Sequence, residues 1–203
     1  MDGVILAGGM SRRMGRPKPF VELEGRPLIS WVLESLRPVC LEVFIVANET
    51  APFAKLGCRV VRDLIPDRGP MGGIYTAISS TRERRIFVTG CDTPFLQSSI
   101  IRFLSSQIED YEMAVCRLAD GLHPLQAVYT RECLSRMYDC LIAGRLSLID
   151  FIRESRARVV SEQEIDRLDP RRISFLNINT PEDLELATAL HRRKRIGSMP
   201  GGV

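Results

Sequence analysis

The sequence predicts an α/β fold: a single three-layer α/β/α domain built on a mostly parallel sheet. Three observations lead there. Short apolar runs of strand character alternate along the chain with segments whose apolar residues recur at helical spacing. The first of these runs passes straight into a glycine-rich loop. The length of 203 residues, 45% of them hydrophobic, suits one substantial core.

The elements follow in order. Val4, Ile5 and Leu6 give a buried strand over Gly3–Leu6. Leu28, Ile29, Val32, Leu33 and Leu36 then mark one face of a helix. Strands are expected at Val43–Val46 and Arg59–Val61, followed by a turn-rich loop with its turn at Gly69-Pro70 and a helix start thinned by Gly72-Gly73. Ile86–Thr89 is the next strand, and Ile100, Ile101 and Leu104 form a helical stripe. Met113–Cys116 and Ala127–Tyr129 read as strands, Leu134, Met137 and Leu141 as a helix, and Ser174–Asn177 as a last strand. Thr180 caps the final helix, with Pro181 in its first turn and Glu182 and Asp183 at its positive end. That helix is expected to end near His191, which sets the domain at 1–191. Residues 192–203, a basic run and then a Gly/Pro-containing stretch, are expected to be a disordered tail.

A net charge of +3 is too small to argue for nucleic acid. The six cysteines contain no C-x-x-C pair and read as small buried hydrophobes of a reducing compartment. No run approaches the roughly 20 apolar residues of a membrane span, and no signal peptide precedes the first strand. A cytoplasmic location is expected, with no membrane and no nucleic-acid partner.

Residues 6–18, LAGGMSRRMGRPK, are built to hold a polyanion. Gly8 and Gly9 let the backbone turn and approach a ligand without a Cβ in the way, and amide groups exposed by such a turn cradle phosphate oxygens. Arg12, Arg13, Arg16 and Lys18 add positive charge, with Gly15 as a second turn. Neither G-x-x-x-x-G-K-[ST] nor G-x-G-x-x-G occurs, which argues against a P-loop ATPase and a dinucleotide-binding domain. The pattern L-A-G-G-x-S-x-R-M-G-x-x-K does resemble the signature loop of the α/β nucleotidylyltransferases, and most of all the molybdenum cofactor guanylyltransferases. Related cytidylyltransferases usually carry L-A-A-G in place of Leu6-Ala7-Gly8-Gly9.

Ligands in open α/β sheets gather at the carboxyl ends of strands. Asp92 stands there, in Gly90-Cys91-Asp92-Thr93-Pro94 after an apolar strand. A carboxylate so placed is suited to Mg²⁺ on a nucleotide, since that ion takes one or two carboxylates plus phosphates and water. The resemblance agrees, because the family carries G-C-D-x-P here and uses the Asp for the metal. Helix capping by Asp92 is the competing reading, and the distance to the helix near Gln97 weighs against it. Cys91 reads as a packing residue.

The resemblance implies a Rossmann-like nucleotidyltransferase fold, covering about residues 2–191. It places Leu6, Ala7, Gly8, Gly9, Lys18, Asn48, Asp63 and Asp92 at the nucleotide, with Lys18 and Arg13 as catalytic groups. Asp63 opens a stretch resembling D…G-P-L-x-G-I, in which Met71 replaces the more frequent Leu and Gly72 the more frequent Ala. Asn48 has a purely local loop role as its alternative. His123, Asn177 and Asn179 would face the acceptor; alternation places the two asparagines on one side of the expected strand. Structural roles for His123 and backbone capping for the asparagines stand beside that reading. Relatives often place a metal-binding Asp near Asn177 and Asn179, which leaves Asp92 as the principal metal contact.

The implied reaction transfers GMP from GTP to the phosphate of molybdenum-loaded molybdopterin, releasing pyrophosphate. Mg²⁺ is the expected cofactor, and GTP and molybdopterin are the partners, with molybdoenzymes or other cofactor-biosynthesis proteins as further ones. Two alternatives remain. The same scaffold serves other acceptors, as in molybdopterin cytidylyltransferase or adenosylcobinamide-phosphate guanylyltransferase. A catalytically silent molybdopterin carrier is the other, although such a protein would be free to lose Lys18 or Asp92.

Overall fold

A seven-stranded sheet organises the chain, and its strand order explains where a ligand would sit. The computed structural model describes residues 1–8 and 17–197, with backbone only for 194–197. The expected loop residues Gly9 and Arg13, with Arg12, Gly15 and Arg16, lie outside the described residues.

β1 (Asp2–Leu6) is an interior strand, and Val4 and Ile5 are fully buried on its opposite faces. A two-stranded ribbon, β2 (Glu22–Leu23) and β3 (Arg26–Pro27), leads into α1 (Leu28–Leu36). β4 (Val43–Ala47), β5 (Arg59–Arg62), α2 (Gly69–Ser79), β6 (Arg85–Gly90) and α3 (Ser98–Ser106) follow. β7 (Met113–Leu118) and β8 (Gly121–Thr130) make a hairpin, after which come α4 (Leu134–Ile142), α5 (Leu148–Arg153), β9 (Ala157–Ser161), α6 (Glu162–Asp166) and α7 (Pro181–Gly197). The sheet order is β5-β4-β1-β6-β8-β7-β9, with β8 antiparallel to both neighbours and every other pair parallel.

Helices cover both faces, giving the expected three layers. Ile5, Ile45, Phe87 and Val128 pack against Leu33 and Leu36 of α1, Ile101 and Leu104 of α3 and Ile165 of α6. Val4, Phe44, Val88 and Tyr129 pack against Met71, Ile74 and Ile78 of α2, Met137 and Leu141 of α4 and Phe151 of α5. A third cluster seats α7 on the ribbon, through Ile178 and Ala187 against Val21, Leu23 and Leu28. Among the described residues no helix is long and apolar enough to cross a membrane.

The structure departs from expectation in three places. Ser174–Asn177 is not a strand. Ile173–Phe175 forms a 3₁₀ turn, entered through Arg172 at a left-handed φ of 51°. Side chains take the backbone groups a ladder would need: Ser174 N–H donates to Asp169 (2.8 Å), and Ser174 C=O accepts from Gln126 Nε2 (2.6 Å). The sheet edge belongs instead to β9, a strand with weak alternation. Finally, α7 continues to Gly197 and does not end near His191, so a boundary at 191 falls within a helix.

Candidate active site

The chain runs from β1 to β4 and β5 on one side, then crosses back through α2 to β6 on the other. The crevice between β1 and β6 is therefore a topological switch point, where open α/β sheets bind ligands. Gly8 follows β1 there, and Asp92 stands two residues beyond the end of β6. Along the same edge Asn48 follows β4 and Asp63 follows β5. Backbone bonds extend the sheet past its strands: Ala7 N–H donates to Val46 C=O (2.9 Å), and Asp63 N–H to Ala47 C=O (3.0 Å).

Lys18 is brought in by a 3₁₀ turn, Lys18–Phe20. Pro17 and Pro19 restrict its backbone, Pro19 is buried, and Phe20 stacks on Phe53 with ring centroids 5.3 Å apart. From this base the Lys18 ammonium donates to Asp92 Oδ2 and to Asn179 Oδ1, each at 2.5 Å. Both charged side chains are 18% exposed. The pair is thus partly desolvated yet reachable from solvent, where a charge acts more strongly than on an open surface.

Asp92 owes its direction to Gly90. A Cβ at Gly90 would lie 2.5 Å from Asp92 Oδ1, so the carboxylate folds into space that any other residue would fill. Asp92 caps no helix; Gln97 precedes α3, and its N–H donates to Ser174 Oγ. Cys91 is buried in the core, and burial, followed by the nearby Asp92 charge, pushes its thiol up to about 12. It is a packing residue, as expected.

The 177–180 segment reaches the site as an extended connection. Ile178 is fully buried, and its N–H donates to Asp92 C=O at 2.9 Å. Asn177 and Asn179 flank it, both exposed. The strand expected to carry them is absent, and an anchored connection carries them instead. Only Asn179 touches Lys18; the Asn177 amide lies 3.5 Å from Phe175 C=O. Thr180 caps α7 as expected, accepting from Asp183 N–H at 3.2 Å.

Other expected residues lie at this edge without joining the cluster. Asn48 is exposed. Asp63 is partly committed to its own loop, its Oδ1 accepting from Thr76 Oγ1 (2.7 Å) and Ile65 N–H (3.0 Å). Gly72 admits that loop, since a Cβ there would come within 2.7 Å of Ile65 C=O. The more frequent Ala would collide in this chain. His123 lies on β8 three residues before Gln126, which faces Thr89 near the end of β6. It meets Asp120 Oδ1 at 2.8 Å and sets its ring edge against Phe175.

The residue missed by sequence reasoning is Asp183. Its Oδ2 accepts from Asn179 N–H (2.8 Å) and Thr180 N–H (2.9 Å). The bond from Asn179 chiefly holds its carboxyl below the usual range; burial opposes, and Lys18 adds to the lowering. The T-x-x-D spacing was the available signal, but it reads equally as ordinary helix capping.

Oxygen donors suited to a hard cation converge here. Asp92 Oδ2 and Asn179 Oδ1 share the Lys18 ammonium, while Oδ1 of Asp92 occupies the space beside Gly90. Among the described residues no group of three His, Cys, Asp or Glu side chains forms a metal cage. One carboxylate and an amide fit an ion that keeps water and takes further oxygens from phosphates, as Mg²⁺ does.

Comparison with known proteins bears on the fold that carries these residues. The family model described as MobA-like NTP transferase domain matches residues 3–159. A probable molybdenum cofactor guanylyltransferase of Pelotomaculum thermopropionicum is 37% identical over 195 residues, 96% of this chain and 95% of that one. The molybdenum cofactor guanylyltransferase of Desulfosudis oleivorans is 37% identical over 97% of this chain and 98% of its own. Among solved structures, molybdopterin-guanine dinucleotide biosynthesis protein A from Archaeoglobus fulgidus superposes with a TM-score of 0.83. It is 25% identical, over 95% of this chain and all of that one.

Proposed function

The chain belongs to the MobA-like NTP transferase family, and we propose that it transfers GMP from GTP to the terminal phosphate of molybdopterin. One observation carries the reading: Lys18, Asp92 and Asn179 meet at the switch point of a nucleotidyltransferase fold, in a chain whose relatives at 37% identity are named for that activity.

The chemistry asks for alignment and charge neutralisation more than for proton transfer. An anionic oxygen of the acceptor phosphate forms a bond to the α-phosphorus of GTP, and the bond from that phosphorus to the β-bridging oxygen breaks. Its electron pair leaves with pyrophosphate. The attacking group is already an anion, so no general base is required, which suits a site whose nearest thiol is buried and protonated. Leu6, Ala7, Gly8 and Gly9 would present backbone to the nucleotide, with Asn48 and Asp63 further along the edge. From its place beside Asp92, Lys18 would meet the phosphates, with Arg13 adding charge as the leaving group departs. His123, Asn177 and Asn179 would face the acceptor.

Mg²⁺ is the metal we assign, with Asp92 as its principal ligand; when bound it supplies charge to offset that building on the phosphates. The test is label transfer. With GTP carrying ³²P at the α position, label should move to molybdopterin; label from CTP would correct the base, and label on another phosphorylated acceptor would correct the substrate.

A further inference from the structure

An exposed asparagine has little reason to hold one direction, yet the Asn179 amide oxygen meets the Lys18 ammonium. The backbone beneath it explains why. On one side Ile178 is buried and tied to Asp92 C=O. On the other, Asp183 Oδ2 accepts from the N–H groups of both Asn179 and Thr180. Capping alone requires only the reciprocal bonds between Thr180 and Asp183. The bond to Asn179 N–H lies outside the helix and serves no capping need. It also places a second carboxylate close enough for the Lys18 charge to act on it.

We infer that Asp183 is a positioning residue for the transfer reaction: it grips the backbone of Asn179, aims that amide at Lys18, and so fixes the ammonium beside Asp92. The inference deepens the proposed function and rests on it for its kinetic consequences. Its geometric content, that Lys18 is held through Asn179 by Asp183, stands independently.

Two measurements separate this role from simple capping. Thr180→Ala removes half of the capping pair but leaves the acceptor for Asn179 N–H. Both Thr180→Ala and Asp183→Ala should lower the melting temperature by similar amounts. Asp183→Ala should also lower kcat about tenfold with the KM for GTP nearly unchanged, because misplacement of a transition-state group costs rate more than binding. Thr180→Ala should keep kcat within about twofold of the parent. In an Asn179→Ala background, Asp183→Ala should cost nothing more, since the two act as one unit. Asp183→Asn, which keeps an oxygen facing the same N–H groups, should recover most of kcat. Equal kinetic losses in Thr180→Ala and Asp183→Ala, or additive losses with Asn179→Ala, would overturn the inference.

The second measurement needs no turnover. Acetic anhydride labelling of the nucleotide-free protein is read by mass spectrometry, with exposed Lys55 as the internal reference. Losing one hydrogen-bond partner should raise Lys18 labelling about threefold in Asp183→Ala and in Asn179→Ala, and leave it unchanged in Thr180→Ala. Unchanged Lys18 labelling in Asp183→Ala would refute the positioning role. A parent enzyme without GTP-dependent transfer would instead refute the proposed function, and labelling would still decide the role of Asp183.

Discussion

Lys18 and Asp92 stand 74 positions apart in sequence and meet as an ion pair of 2.5 Å at the crevice between β1 and β6. A cation and the expected metal ligand thus occupy each other's coordination space, and Asn179 holds the cation there. Nucleotide phosphates and a divalent ion would each relieve one partner, so the resting pair keeps two costly charges matched until the substrate arrives.

Removing the Lys18 charge should strike the transition state. Lys18→Ala is expected to lower kcat by about 10²–10³, the loss typical of one preorganised electrostatic contact. The KM for GTP should rise only severalfold. Steady-state pyrophosphate release measures both, and equal losses in the two would show that Lys18 contributes uniform binding only.

The ion pair also predicts competition with metal. Mn²⁺ binding to nucleotide-free protein, followed by electron paramagnetic resonance, should be about tenfold tighter in Lys18→Met, where Asp92 loses a charge-assisted partner. Asp92→Asn should abolish it. Unaltered Mn²⁺ affinity in both variants would remove Asp92 as the metal ligand.

Gly90→Ala tests the direction of the carboxylate. A Cβ there would fall 2.5 Å from Asp92 Oδ1, so the carboxylate must swing away while the strand itself has room. Activity should fall at least about tenfold, and stability by only about 1 kcal/mol. Wild-type activity in a well-folded Gly90→Ala protein would contradict the assigned geometry.

Acid stability follows from Asp183 and Glu164. Both carboxyls lie below their ordinary values, Asp183 chiefly through Asn179 N–H and Glu164 chiefly through Ser161 N–H. A carboxyl lowered in the folded state contributes stability above its unfolded pKa and loses it as the pH falls through the folded one. Urea midpoints should therefore hold from neutrality to the ordinary carboxylate range and decline below it. In Asp183→Ala the decline should be shallower; an unchanged slope would mean the carboxyl is not held down by folding.

Much of the fold was legible because its signals are local. β1, β4 and β6 are apolar runs that stop at or within two residues of Gly8, Asn48 and Gly90, and Asp92 stands where such a run stops. Ser174–Asn177 misled because Phe175 and Leu176 look strand-like, while the bonds that claim its backbone come from Gln126 and Asp169, distant or ambiguous in sequence. β9 gives little signal because an edge strand of Arg158, two adjacent valines and Ser161 alternates weakly. Lys18, Asp92 and Asn179 each stand in a legible motif, but their meeting depends on a contact across 161 positions. Asp183 was hidden by its second duty as a cap.

Pyrophosphate release tests the central claim most directly. Purified protein with Mg²⁺ and molybdenum-loaded molybdopterin is offered GTP, CTP, ATP and UTP in parallel, beside an Asp92→Ala control. Release with GTP, lost in the control, is the predicted result. Release with CTP in place of GTP, or release that survives Asp92→Ala, would contradict the account.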